Sequence, residues 1–117
     1  METRALKVAN RILFSRCWVA SNFISRLMGL MCRMELSDDE AVVFPRCNSI
    51  HTCFMYFPID VVFVAQNGEV LEVLESLRPW RFLIPRRKAR HAIEMGSGVA
   101  ARKGICLGMQ LKCEGVF

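Results

Sequence analysis

Asn67-Gly68 divides two apolar, β-branched runs, Val61-Val62-Phe63-Val64 and Val70-Leu71-Glu72-Val73-Leu74. An Asn-Gly pair between such runs supplies the positive φ angles of a tight type I′ turn, so this stretch is expected to fold as a β-hairpin. The rest of the chain continues in short strand-like pieces. Leu6 to Phe14 reads as one or two strands, and Ala41 to Phe44 as a buried strand stopped by Pro45. Ile50 to Phe57 and Asp60 to Ala65 read as strands separated by Pro58, and Arg90 to Met95 and Met109 to Cys113 as two more. Helical signals are sparse. Ser21 can cap a helix over residues 21–31 with Phe23, Ile24, Leu27 and Met28 on one stripe, although Gly29 interrupts it. Ser97 can cap a single turn through Val99 to Lys103, closed by Gly104 in a left-handed conformation. Short strands, frequent turn signals and so little helix predict a mainly β chain, a small single-domain β-sandwich or distorted barrel with one or two short helices.

The chain has 117 residues, enough for one core and too few for two. Hydrophobic residues make up 53% and charged residues 23%, which excludes intrinsic disorder. The longest stretch without a formal charge is Cys47 to Ile59, whereas a membrane-spanning helix needs about 20 residues. Glu2, Arg4, Lys7, Arg11 and Arg16 break up the apolar segment an export signal needs, so a cytoplasmic location is expected. The formal net charge of +5 is unevenly spread. Residues 1–33 carry +5, residues 34–77 carry −7 and residues 78–117 carry +7. An acidic centre between basic arms argues against one uniformly cationic face for nucleic acid.

Several side chains have the chemistry for a site. In a strand, His51, Cys53 and Met55 share a face, and Cys47 precedes them; thiolate, imidazole and thioether suit a soft metal such as Cu(I) or Zn(II). Their spacing matches no zinc motif, and a hydrogen-bonded structural histidine is the simpler reading of His51. Asp60 can orient the His51 imidazole, with Cys47 or Cys53 as nucleophile, or it can cap backbone amides at a strand start. The segment Arg78-Pro79-Trp80-Arg81-Phe82 interleaves aromatic rings with cations, followed by Arg86, Arg87, Lys88 and Arg90. It can clamp a small anion through guanidinium donors, stack on nucleic acid bases, or simply form a solvated basic loop. The six cysteines include no CxxC pair and are expected to remain reduced thiols. No cofactor motif is present.

The block Cys47-Asn48-Ser49-Ile50-His51-Thr52, then Phe54-Met55 and Phe57-Pro58-Ile59-Asp60-Val61-Val62-Phe63, resembles the centre of the domain of unknown function 192 family. Arg26-Leu27-Met28-Gly29-Leu30-Met31 with Arg33 resembles an upstream block of the same family. Arg78-Pro79-Trp80-Arg81 and Ala92-Ile93-Glu94-Met95, with Gly98, Gly104-Ile105 and Gly108, resemble its downstream blocks. The likeness runs from about residue 6 to 113. Two positions depart from it: Tyr56 stands where the family often has Arg or Lys, and Met109 where it often has Asp. The resemblance implies a small bacterial or archaeal β-rich domain with no established reaction. It directs attention to a binding surface of His51, Thr52, Asp60, Arg78, Trp80 and Arg81. The expectation is a non-catalytic binding or accessory module for a small anionic ligand, with an enzyme using His51 and Asp60 or a cysteine as the alternative.

Overall fold

The computed structural model describes residues 2–20, 36–47, 50–51, 57–78, 82–83 and 89–117. In chain order these form β1 (Glu2–Val8), β2 (Arg11–Val19), β3 (Glu40–Phe44), β4 (Ile50–His51), β5 (Ile59–Val64), β6 (Val70–Leu77), β7 (Phe82–Leu83), β8 (His91–Gly96), α1 (Val99–Arg102) and β9 (Leu111–Cys113). A seven-stranded sheet runs β6-β5-β8-β3-β2-β1-β9, and β4 pairs with β7 in a separate two-stranded sheet. All pairings are antiparallel except β2 with β3.

The seven-stranded sheet closes on itself. Glu69 bridges Gln110, the Val70 amide donates to the Met109 carbonyl at 2.9 Å, and the Leu111 amide donates to Gly68 at 2.9 Å. The first and last strands of the sheet therefore meet at one end of β6, which makes a distorted barrel rather than a two-sheet sandwich. Alternate side chains of the central strands face inward. Val62 and Val64 of β5, Ala41 and Val43 of β3, and Ile93 and Met95 of β8 join Leu6, Phe14 and Leu111 in the interior. The intervening residues Val42, Ile59, Val61, Phe63 and Ala92 build a second apolar cluster on the outer face. All six residues of β5 are buried as a result, which is why its sequence, Asp60 apart, reads as an apolar run instead of an alternating one.

The β5–β6 hairpin forms where expected, but its turn differs. Only Gly68 of the pair has positive φ, at +93°, so the type I′ expectation is corrected. The Gly68 amide donates to Ala65 at 2.9 Å and the Ala65 amide to Glu69 at 2.9 Å, giving a three-residue loop ending in a left-handed glycine. Barrel closure supplies the reason: a Cβ on Gly68 would lie 2.2 Å from the Leu111 carbonyl oxygen.

The short helix is also capped differently. Gly98, with φ +83°, is the N-cap of α1 and makes no side-chain cap, while the Ser97 hydroxyl hydrogen-bonds the Ser76 hydroxyl at 2.6 Å. Gly104 has φ +70°, as expected for the residue closing this turn. Val99, Ala100 and Ile105 pack into the interior, so α1 plugs one end of the barrel. The helix expected over residues 21–31 lies outside the described residues. So does most of the strand expected after His51.

Candidate functional site

Asp60 is fully buried on the inward face of β5, opposite Met95. Its Oδ1 accepts from the Ser76 amide at 2.8 Å and its Oδ2 from the Ala100 amide at 3.0 Å. Ser76 has a left-handed φ of +49° and lies where β6 bulges against β5, between the Ile59↔Leu77 and Val61↔Leu74 pairs. One carboxylate thus satisfies the orphan amide of a bulge and an orphan amide in the first turn of α1. This is the amide-capping role that the sequence also allowed, and it commits both oxygens to the fold.

β4 and β7 bring two distant blocks together. His51 stands opposite Phe82 and Ile50 opposite Leu83, so β4 runs antiparallel beside β7. Arg78, exposed, follows the end of β6. Cys47, half-buried, follows β3. Thr52, Cys53, Trp80 and Arg81, and the side chain of His51, lie outside the described residues.

Glu94 has no counterpart among the residues singled out from sequence. It sits on the outward face of β8, between Val42 of β3 and Val61 of β5, in a row extended by Trp18 and Leu74 on the next strands. It is 3% exposed, and burial raises its pKa from 4.5 to about 8, so the carboxyl is largely protonated at neutral pH. An uncharged acid can donate a hydrogen bond from within an apolar wall. The surrounding cluster also holds Ala20 and Leu36, which bracket residues 21–35, Phe57, which follows residues 48–56, and Leu77 and Ala89, which bracket residues 79–88. The described residues that flank the Arg26–Arg33, His51 and Arg78–Arg81 blocks therefore pack on the face that contains Glu94. Beside it, Glu40 accepts from Trp18 Nε1 at 3.3 Å and the Ser37 amide at 3.2 Å, and pairs with Arg16 at 3.4 Å. Burial opposes ionisation of Glu40, but these donors and Arg16 outweigh it and lower its pKa.

The end of the barrel away from α1 holds His91, opposite Val64. Its Nδ1 accepts from the Arg46 amide at 3.1 Å, and its ring lies 5.1 Å from that of Phe117. Burial, then the charges of Arg90 and Arg46, lower its pKa and keep the ring neutral. Of the thiols, Cys17 and Cys113 are buried in the interior, and Cys106 is exposed. The Cys17 thiol donates to Cys113, and this hydrogen bond, followed by burial, pushes the Cys17 thiol up and keeps it protonated.

The DUF192 family model, described as "Uncharacterized ACR", matches residues 5–113. The chain belongs to this family. A UPF0127 protein of Pyrococcus furiosus is 36% identical over 99 residues, covering 80% of this chain and 82% of that relative. A UPF0127 protein of Pyrococcus horikoshii is 40% identical over 87 residues, covering 69% and 72%. A solved structure of a protein of unknown function from Novosphingobium aromaticivorans has a TM-score of 0.77 at 24% identity, covering 94% of this chain and 83% of that one. At that identity the likeness shows the fold alone. Glu94 belongs to the Ala92–Met95 block by which the family is recognised, and that block was the available signal for it. An acidic residue between Ile93 and Met95 in a buried strand breaks the apolar pattern and has to be accounted for.

Proposed function

We propose that this DUF192 protein is a non-catalytic cytoplasmic binding or accessory domain for a small anionic ligand. The binding surface comprises the β4–β7 pair and the adjoining cations: His51 and Thr52 on one side, Arg78, Trp80 and Arg81 on the other. The observation that supports it is the His51↔Phe82 register, which aligns the histidine block with the arginine–tryptophan block despite 30 intervening positions. Guanidinium groups beside a ring system bind carboxylates or phosphates through paired, charge-assisted hydrogen bonds. Asp60 leaves this set, because its oxygens hold Ser76 and Ala100. The same contacts weigh against an Asp60–His51 catalytic pair. A soft metal on Cys47, His51 and Cys53, and nucleic acid on the 78–90 segment, rank below the small anion.

Thermal denaturation in the presence of nucleotides, oligonucleotides and metal ions separates these classes, since a ligand of the native state raises the midpoint. A mononucleotide is expected to raise it in the wild type and not in the folded R78Q/R81Q double variant. Absence of any shift, or an equal shift in the double variant, overturns the proposal.

A further inference from the structure

We propose that the open edge of β6, from Leu71 to Glu75, docks an extended basic segment of a partner protein, added to the sheet as a further strand. β6 is a terminal strand of the seven-stranded sheet and pairs along its length with β5. Its other side is engaged only at the start. There Glu69 bridges Gln110, the Val70 amide donates to the Met109 carbonyl at 2.9 Å, and the Gly108 amide donates to the Val70 carbonyl at 2.9 Å. Past Val70, no backbone bond is made on that side among the described residues. Alternate amides and carbonyls of residues 71–75 therefore face outward with their hydrogen-bonding capacity unused, which is the backbone template for strand addition.

The template is preformed. Val73 packs against the interior cluster and Leu74 against the outer one, so both faces of β6 hold the edge extended. A strand already fixed in this way loses little freedom when a partner pairs with it. The regular edge stops at Ser76, where φ is +49° and the amide is committed to Asp60. Edge strands are commonly blunted by proline, by lysine or by being very short. β6 has eight residues and contains neither proline nor lysine.

Charge selects the occupant. Glu69 and Glu75 are exposed and Glu72 is half-buried. Among the described residues none of these three carboxylates takes part in an ion pair. The chain from Ala65 to Leu77 holds no lysine or arginine to offset them. A strand carrying lysine or arginine, laid along this edge, sets cations beside unpaired carboxylates. A second copy of this chain does not meet that requirement. β6 against β6 brings acidic strand to acidic strand, and on β9 the Leu111 and Cys113 amides are already given to the Gly68 and Phe117 carbonyls. The site also stands apart from β4 and β7, which form a sheet of their own.

The test follows the backbone amide resonances of the whole chain by NMR while a short peptide of alternating lysine and valine is titrated in at constant ionic strength. Saturable shifts at residues 71–75, with slowed amide exchange there, are expected. The same peptide N-methylated at every backbone amide keeps its charge but cannot donate to the edge, and is expected to leave β6 unshifted. A peptide with glutamate in place of lysine is expected not to bind. Folded E72Q/E75Q should bind the lysine peptide about tenfold more weakly, through loss of two carboxylates at the rim of the contact. Absence of saturable shifts in β6, equal binding of the N-methylated or the glutamate peptide, or unchanged affinity in folded E72Q/E75Q overturns the site, as does dimerisation of the free chain through β6.

Discussion

Asp60 and Ala100 are joined by a 3.0 Å hydrogen bond from a helix amide to a strand carboxylate, across 40 positions of sequence. With the 2.8 Å bond from Ser76, it ties β5, the β6 bulge and α1 together at one end of the barrel. Asp60→Asn retains one acceptor oxygen and turns an NH₂ group toward the other amide. Loss of one charge-assisted bond and creation of a donor–donor conflict are expected to cost about 2–3 kcal/mol. Urea denaturation measures it, and a variant as stable as wild type contradicts the assignment.

Gly68 and Gly104 provide a matched pair. Both have positive φ, but a Cβ on Gly104 meets nothing within 4 Å, whereas one on Gly68 meets the Leu111 carbonyl oxygen at 2.2 Å. Gly104→Ala should cost about 1 kcal/mol, the conformational penalty alone. Gly68→Ala should cost at least ~2 kcal/mol more, because β9 must shift to admit the methyl group. Its amide exchange should also rise at Val70 and Leu111, which bond across the closure.

Glu94 predicts a definite pH dependence. Its carboxyl holds a proton up to about pH 8 in the folded chain, whereas the unfolded chain releases it near 4.5. Between those values the folded state binds more protons, so this group's contribution to stability falls as pH rises, by up to ~1.4 kcal/mol per pH unit. Glu94→Gln removes the titration. The stability of E94Q relative to wild type should therefore increase from pH 5 to pH 8 and level off above. A constant difference across that window would show that Glu94 is ionised in the fold.

The thiols should differ in reactivity. Iodoacetamide at pH 8 is expected to label exposed Cys106 in the native state, and Cys17 only after denaturation, because Cys17 is fully buried and held as the thiol. Peptide mass spectrometry reads both. Native labelling of Cys17 at the rate of Cys106 would contradict the burial.

Local pattern was sufficient for several elements but missed β7 in the 78–90 segment and the second half of β2. Alternating and β-branched runs marked β3, β5, β6 and β8, Asn67-Gly68 marked the hairpin, and Gly104 marked the end of α1. These signals act over a few residues, so they survive in the sequence alone. It also carried the family, because the Phe57–Phe63 and Ala92–Met95 blocks stand in fixed order along the chain. Tertiary structure decided what depended on strands far apart in sequence. Whether the sheet stays open or closes depends on Gly68 meeting Leu111. Whether Asp60 serves chemistry or architecture depends on Ser76 and Ala100 arriving beside it. His91 looks ordinary in sequence and Glu94 is only an acid in an apolar run; both become unusual when neighbouring strands withdraw water from them. Desolvation is a property of the assembled barrel, and no local spacing encodes it.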